Sequence, residues 1–290
     1  MKIALFSHCA IDSITIGDSN YEQIGGAACY GGVTARKFKF DVELVTKFGS
    51  DFPYNEYLSE NKISFPNAQS EKQTTRFGIN IVGADRTLKL INQCEPIEYS
   101  EIKADGFLVS PIYHEISNDV FEKIKKDANY LLLDPQGFLR RTDSENKVIL
   151  DKTDVDLSKV NTIKVNPEEA FHLTGSSDEE ALKKLQKQGI EHSILTNKTE
   201  VSMLVEDRIY SITLPNKQVY DTTGIGDIFC ATFCCTMLKE KDFLWALCFA
   251  GGAAQAALDS KDVGLKKIPK KGTVETNASY FYNLMKYRSI

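Results

Sequence analysis

The segment DTTGIGDIF, residues 221–229, combines two glycines, an acid and the start of an apolar run. Apolar residues after Gly226 recur at helical spacing, which predicts a turn at 223–226 that opens a helix. Free backbone N–H groups at a helix start bind anions, and glycine lets an anion approach closely. Asp227 falls in the first turn of this helix. If the anion is a phosphoryl group in transfer, Asp227 can accept the proton of an attacking hydroxyl as a general base.

The same residues also allow a purely structural interpretation. Thr223 would then cap the helix, the glycines would shape the turn, and Asp227 would complement the helix dipole. The segment by itself does not choose between a catalytic turn and a capped helix.

The elements that position this segment follow from an alternation along the chain. Short apolar runs such as KIALFS, VELVTK, GFLVS, YLLLD, NTIKV and SILT alternate with segments of helical period. This alternation predicts βαβ units and a mainly parallel sheet covered by helices on both faces, an α/β fold. Ligands of such sheets bind outside the carboxyl ends of the strands, so the residues just after each strand are candidates for a site.

Two stretches, 11–26 and 74–94, interrupt this rhythm with polar and apolar residues that alternate around Gly-Asp and Gly-Ala-Asp turns. They predict antiparallel strands that form a small β-lid over the cleft of the main sheet. No linker rich in Pro, Gly or Ser divides the chain, so we expect residues 1–290 to form one domain. Two such lids could pair edge to edge and give a homodimer.

Composition excludes several classes of partner. The 290 residues carry 35 Lys+Arg and 40 Asp+Glu, a formal charge of −5, so no basic excess draws the chain to nucleic acid or an anionic membrane. The longest apolar stretch, 243–258, is shorter than the roughly 20 residues of a membrane span. The seven cysteines and four histidines show no metal-binding spacing. These features favour reduced thiols, a cytoplasmic location and a small-molecule partner.

The segment DTTGIGDIFCATF closely resembles the D-T-x-G-[AS]-G-D-x-F signature of the ribokinase-like (PfkB) sugar kinases. The resemblance implies a three-layer α/β/α fold with a small β-lid and an ATP-dependent kinase. It implies that Asp227 is the catalytic base and that the amides of Gly224, Ile225 and Gly226 bind the γ-phosphate, with Thr223 beside the nucleotide. Ile225 stands where the family usually has Ala or Ser, which leaves the backbone contacts intact.

A second resemblance concerns substrate binding. The segment IGGAACYGG is similar to the family's G-G-x-x-x-N signature, so Gly25 and Gly26 would admit the substrate close to the backbone. Tyr30 replaces the usual Asn of that signature. Without the family, the segment reads as a tight helix entry in which Gly31 and Gly32 allow close packing.

Three further residues are predicted to bind the acceptor. Asp12 follows the first strand, where the family keeps an acid that binds substrate hydroxyls, although a solvated turn acid would also fit. Gln136 and Arg140 follow the buried strand in LLLDPQGFLRR, and arginine can clamp an anionic group. A similar stretch occurs in family members thought to phosphorylate cyclitols, whereas a Pro-Gly turn with exposed arginines is also a common structural feature.

The segment NTIKVNPEEAF contains Asn166 and Glu169, which match the family's N-x-x-E element. That element organises Mg²⁺ and its waters, and because Mg²⁺ keeps several waters one indirect carboxylate suffices. The sequence Asn-Pro-Glu-Glu is also typical of a helix start with an N-cap, a proline at N1 and a capping-box acid. Both roles can hold together.

The residues expected to bind the nucleotide differ more from the family pattern. Thr196 begins the stretch that resembles T-x-G-x-x-G, but Lys198 and Val201 occupy the glycine positions. Ala253 and Gly264 match the Ala-rich helix and following glycine that flank the adenine. Read without the family, these small residues indicate close helix packing.

These patterns together predict an ATP-dependent kinase that acts on a sugar or cyclitol and uses Mg²⁺, to which a monovalent cation could be added. A nucleoside kinase of the same family and a non-catalytic sugar-binding protein on the same frame are the alternatives. No dinucleotide fingerprint or P-loop motif occurs, which argues against a Rossmann dehydrogenase.

Overall fold

The computed structural model describes residues 1–82, 85–215 and 221–290. The predicted Gly-Ala-Asp turn of the lid falls partly outside these residues, because Gly83 and Ala84 are not among them.

The described residues form a main sheet in which ten strands lie side by side. In spatial order they are β16 (Lys286–Ser289), β15 (Arg208–Thr213), β14 (Glu200–Val205), β13 (His192–Asn197), β12 (Thr162–Val165), β9 (Leu131–Leu133), β8 (Gly106–Val109), β1 (Lys2–Phe6), β4 (Asp41–Val45) and β5 (Ile63–Ser64). Every pair from β13 to β5 is parallel, whereas β14, β15 and β16 extend the sheet in antiparallel fashion. The predicted α/β fold with a mainly parallel sheet is confirmed.

Helices cover both faces of this sheet. They are α1 (Ala27–Lys37), α2 (Asn55–Glu60), α3 (Asn118–Asp127), α4 (Gln136–Leu139), α5 (Pro167–Thr174), α6 (Glu179–Gln186), α7 (Ile225–Glu240), α8 (Phe243–Leu258), α9 (Lys271–Leu284) and a 3₁₀ turn at Gly264–Lys267. Successive residues of a strand point to opposite faces. In β1, Ile3 and Leu5 therefore join the core under α1, α7 and α8, while Ala4 and Phe6 join the core under α3 and α6.

The second sheet is the predicted lid. Its strands, in the order β3, β2, β6 and β7, span Ser19–Gly25, Ala10–Ile16, Thr75–Val82 and Asp85–Asn92. Each of the two hairpins is antiparallel, and β2 joins β6 in parallel. A separate hairpin pairs β10 (Arg140–Thr142) with β11 (Val148–Leu150). Under the lid, Phe77, Ile112 and Tyr113 form a small apolar cluster that connects it to the strand ends.

Most residues of helix α8 are buried, and the helix packs between its neighbours α7 and α9. This environment explains the long apolar stretch that the sequence shows at 243–258. Among the described helices, none combines the length and the apolarity needed to cross a bilayer.

Helix α1 packs tightly against the sheet at two glycines that face the strands. A Cβ atom on Gly31 would come within 2.6 Å of Leu5 Cδ1, and one on Gly32 within 3.0 Å of Leu44 Cδ2. Close packing at these two positions is therefore confirmed.

We expect Gly31→Ala to lower the free energy of unfolding by about 1–3 kcal/mol, because the added methyl group overpacks the interface with Leu5. Gly272 provides a matched control, since it also lies in a helix but a Cβ atom there would meet nothing within 4 Å. Gly272→Ala should leave the stability unchanged or raise it by up to about 1 kcal/mol. Urea unfolding measures both, and equal effects of the two substitutions would contradict the packing argument.

Candidate active site

A cleft of about 170 Å³ lies where the lid meets the carboxyl ends of β9 and β12. Its lining comes from the lid strands, from residues that follow or end the main strands, and from the turn before α7. The cleft brings together these residues predicted from the sequence: Asp12, Gly26, Tyr30, Gln136, Arg140, Thr223, Gly224, Gly226 and Asp227.

The turn before α7 depends on Gly224. This residue is the N-cap of α7 and has φ +74°, a left-handed conformation that favours glycine. A Cβ atom at Gly224 would lie 2.4 Å from the ring of Tyr30, so the turn rests directly on that ring. Thr223 does not cap the helix, and its amide instead donates to Asp221 Oδ1 at 2.8 Å. The structural interpretation of Thr223 as the cap is therefore wrong.

The start of α7 lines the cleft and carries backbone amides. The first four N–H groups of a helix have no intrahelical partner, and Gly226 and Asp227 belong to this group. The Ile225 amide makes only a long bond of 3.4 Å to the carbonyl of Thr222. Ile225 itself packs its side chain against the core. The turn can therefore offer amide donors to an anion, and binding of a phosphate by the amides of Gly224, Ile225 and Gly226 stays a prediction.

The carboxylate of Asp227 lies among other charged groups of the cleft. Burial, together with the negative charge of Asp134, raises the pKa of Asp227 to about 7, although the positive charges of Lys164 and Arg140 oppose the rise. A carboxyl group with a pKa near neutrality is suited to accept a proton at physiological pH.

Lys164 is a functional candidate that the sequence analysis did not single out, and its partner is Asp134. The Lys164 ammonium donates to Asp134 Oδ2 at 2.9 Å and lies 4.0 Å from Glu169 Oε2. Burial opposes its charged form, but the two carboxylates outweigh burial and raise the pKa of Lys164. Its Nζ would be 3.5 Å from a Cβ atom on Gly226, which puts a permanent positive charge next to the turn.

A signal for Lys164 was present in the sequence. It is the third residue of a four-residue strand, TIKV, whose residues are all buried. A charged residue in such a strand requires a partner, and Asp134 directly follows the neighbouring strand β9. Asp134 Oδ1 is buried without a hydrogen-bond partner, so one oxygen of this carboxylate remains to be satisfied by a ligand, a water or a cation.

One side of the cleft is formed by Asp12 of β2 and by Gln136 and Arg140 in the segment after β9. Any Cβ atom on Gly25 would lie 2.6 Å from the carboxylate of Asp12, so this glycine leaves the space that Asp12 fills. Arg140 donates from Nη1 to the carbonyl of Ile112 at 2.9 Å, and its guanidinium lies 5.8 Å from the centre of the Phe77 ring. The absence of a side chain at Gly25 thus leaves room for Asp12, and the two contacts of Arg140 position its guanidinium at the cleft.

An apolar wall faces these polar groups. It consists of Phe77, Ile79 and Leu88 from the lid and Ile112 from the main body. The cleft thus combines polar hydrogen-bonding groups with an apolar surface, as small-molecule sites usually do.

Asn166 and Glu169 form the predicted capping box at the start of α5. Glu169 Oε2 accepts from the Asn166 amide at 2.8 Å, and Asn166 Oδ1 accepts from the Glu169 amide at 2.9 Å. Within the described residues, no three His, Cys, Asp or Glu side chains cluster as a metal site. A Mg²⁺ ion would therefore keep mostly water and phosphate ligands here, and Glu169 and the unsatisfied Asp134 Oδ1 fit such an indirect role.

Three residues predicted to bind the nucleotide lie outside the cleft lining. Thr196, on β13, donates to the carbonyl of Val165 at 3.4 Å. Ala253 is fully buried in the core on α8, so close packing accounts for its small side chain. Gly264 has φ +62° and donates its amide to Asp221 Oδ2 at 3.2 Å. Their contact with a nucleotide stays a prediction, as does the pairing of two lids.

Comparison with known proteins identifies the class. The family model described as pfkB family carbohydrate kinase matches residues 12–271. An Inositol 3-kinase from Arabidopsis thaliana is 28% identical over 77% of this chain, and the chain covers 64% of that relative's length. This protein belongs to the pfkB family of carbohydrate kinases.

Two solved structures illustrate the fold of this family. A pyrophosphate-dependent kinase of the ribokinase family, complexed with a pyrophosphate analogue and myo-inositol, superimposes with a TM-score of 0.81 at 21% identity, covering 94% of this chain and 99% of the other. A ribokinase from Arabidopsis thaliana, complexed with ribose and ATP, gives a TM-score of 0.74 at 18% identity, with coverages of 96% and 98%. The ribokinase-like fold is thereby confirmed.

The raised pKa of Asp227 has a consequence for stability. Its carboxyl group has a pKa of 3.8 when unperturbed and of about 7 in the fold, so folding disfavours the charged form. Well below pH 3.8 the group is neutral in both states and has no effect, whereas above pH 7 the fold carries the full penalty. We expect Asp227→Asn to raise the free energy of unfolding by about 1–3 kcal/mol at pH 8.

This gain should shrink as the pH falls from 7 to 4 and disappear below that range. Denaturant unfolding at several pH values measures it. Asp207→Asn, at an exposed carboxylate, is the control and should give no comparable gain. A loss of stability in Asp227→Asn at pH 8 would contradict the proposed environment of this group.

Proposed function

We propose that this protein transfers the terminal phosphoryl group of ATP to a hydroxyl group of a sugar or cyclitol, with Asp227 as the general base. The observation that carries the proposal is the position of the Asp227 carboxylate. It lies in the cleft directly after the glycine turn, and its pKa is raised to about 7. One side chain can therefore reach both a phosphoryl group held at the turn and an acceptor held under the lid.

The transfer needs one proton acceptor. As the acceptor oxygen forms its bond to the terminal phosphorus, its proton passes to Asp227, and the bond from phosphorus to the bridging oxygen breaks to leave ADP. General base catalysis of this kind contributes typically 10²–10⁴-fold.

The remaining groups position the reactants and balance charge. The amides of residues 224–226 would hold the phosphates, while Lys164 and Arg140 would neutralise charge on the group in transfer. Mg²⁺, when bound, would neutralise the donor phosphates, with Asn166 and Glu169 acting on its waters. Phe77, Ile79 and Leu88 of the lid would keep water away from the phosphoryl group.

A small ring polyol suits the acceptor side. The cleft of about 170 Å³ is smaller than the roughly 300–1,000 Å³ of sites for drug-sized ligands. Asp12, Gln136 and Arg140 can bond several hydroxyls, and the apolar wall can pack on a ring face. A cyclitol acceptor also agrees with the similarity to an inositol 3-kinase and to a kinase complexed with myo-inositol.

Pyrophosphate is a second candidate donor. The solved structure with myo-inositol is a pyrophosphate-dependent kinase. In this chain Lys198 and Val201 replace the glycines of the stretch that resembles the family's nucleotide motif. Both features favour testing a donor that has no nucleoside.

A screen of purified protein with Mg²⁺ tests the proposal. ATP and pyrophosphate are the donors, and inositols, ribose, fructose phosphates and adenosine are the acceptors. We expect turnover with a polyol, and Asp227→Asn should lower kcat by roughly 10²–10⁴ while nucleotide binding, measured by calorimetry, persists. Asp207→Asn should keep full activity.

Other outcomes decide against the proposal. Preferred phosphorylation of adenosine would indicate a nucleoside kinase. Sugar binding without turnover, for either donor, would indicate a non-catalytic binding protein. Full activity in Asp227→Asn would remove Asp227 as the base.

The pH dependence gives an independent test of the base. Because Asp227 must be deprotonated to accept a proton, kcat/KM should rise with pH and level off above about 7. Lys164→Gln removes a positive charge that lowers this pKa, so the rising limb should move to higher pH. A wild-type profile that is flat between pH 5.5 and 8 would contradict the assignment.

A further inference from the structure

A second buried lysine lies behind the phosphate-binding turn. The side chain of Lys267, in the 3₁₀ turn after α8, is completely buried. Its ammonium donates to Asp221 Oδ2 at 2.8 Å and to the Asp221 carbonyl at 3.1 Å. Asp221 is the first residue of the DTTGIGD segment, so this ammonium is bound where the turn begins.

The Asp221 carboxylate connects Lys267 to the turn. Its Oδ1 accepts from the Thr223 amide at 2.8 Å, and its Oδ2 also accepts from the Gly264 amide at 3.2 Å. One carboxylate therefore connects the lysine, the 3₁₀ turn and the residue just before Gly224.

Tyr30 provides a second connection. The Lys267 ammonium lies 5.7 Å from the centre of the Tyr30 ring, a distance typical of a cation–π contact. The same ring lies beneath Gly224, where it leaves no room for a Cβ atom. Lys267 thus contacts both supports of the turn, the Asp221 carboxylate and the aromatic ring.

The charge of Lys267 matters for this arrangement. Burial disfavours the charged form of Asp221, but the hydrogen bond and charge of Lys267, with the Thr223 amide, outweigh burial and lower the pKa of Asp221. Without the ammonium, a buried carboxylate would lie uncompensated beside a turn that binds phosphates. Two negative groups so close together repel each other strongly in a medium of low dielectric constant.

A free alkali cation could in principle supply this positive charge. Such an ion binds carboxylate and carbonyl oxygens. At Asp221, an oxygen of each kind already accepts a hydrogen bond from the Lys267 ammonium. The residues present therefore do not fit an additional monovalent cation at Asp221.

We propose that the Lys267 ammonium is a built-in cation that holds the phosphate-binding turn in its active shape, so that phosphoryl transfer needs no free monovalent cation. Lys267 is thus a positioning residue that acts through Asp221 and Tyr30. The inference rests on the proposed kinase function.

The first test compares wild-type kcat in K⁺, Na⁺ and tetramethylammonium salts at equal ionic strength, with Mg²⁺ constant. We expect rates within about twofold of one another. A stimulation of tenfold or more by K⁺ over tetramethylammonium would overturn the proposal, and this result does not depend on any variant.

The second test removes the cation. In tetramethylammonium, Lys267→Ala should lower kcat by roughly 10²-fold, because a displaced turn misaligns the reacting groups. Added ammonium, methylammonium or K⁺ should enter the vacated space and raise the kcat of this variant at least tenfold. A loss without rescue by any of the three ions would overturn the proposal and indicate a merely structural ion pair.

Lys125→Ala is the matched control. Lys125 is also buried, and its ammonium donates to the carbonyl of Asp156 at 2.9 Å and to its carboxylate at 2.6 Å. This pair does not contribute to the cleft lining. Lys125→Ala should lower stability but leave kcat nearly unchanged and unaffected by added ammonium, and a similar rescue there would contradict the proposal.

Amide hydrogen exchange separates failure of this inference from failure of the proposed function. Lys267→Ala should exchange faster than wild type at 222–226, and added ammonium should slow that exchange, whereas Lys125→Ala should not change it. These results are expected even if no acceptor is phosphorylated. Absence of phosphorylation would contradict only the proposed function. An unchanged exchange rate of the amides at 222–226 in Lys267→Ala would contradict the inference about Lys267.

Discussion

The cleft depends on the contact between Gly224 and the ring of Tyr30. Gly224 adopts φ +74° with no space for a side chain above the ring, and this conformation starts α7 at Ile225. The start of α7 in turn determines where its first-turn amides and Asp227 lie. A residue with a Cβ atom at 224 would have to shift the helix, the ring or both, and the carboxylate would move with them.

Opposite charges at close range give the cleft its chemical character. Three acids, Asp12, Asp134 and Asp227, share it with Arg140 and Lys164. Lys164 pairs with Asp134, which leaves the negative charge of Asp227 only partly compensated and its pKa raised to about 7. A buried charge is costly unless it is paired, so this arrangement costs folding free energy and leaves a carboxyl group whose pKa lies near neutrality.

Local patterns predicted much of the fold correctly. The helix predicted to open after the turn at 223–226 is α7, and the apolar runs from KIALFS to SILT are strands of the main sheet. The lid hairpins were also recognised, because alternation of period two is a local signal. The antiparallel extension by β14 to β16 was missed, since which strand pairs with which depends on contacts between distant segments.

The sequence by itself determined the glycine turn, the helix start after it and the acid in the first helical turn, because backbone conformation and capping depend on neighbouring residues. Only the tertiary structure decided which charges surround that acid. Lys164 meets Asp134 across two adjacent strands, and Lys267 meets Asp221 across 46 positions of the chain. Electrostatic effects depend on distance in space and on burial, and neither quantity can be read along a chain.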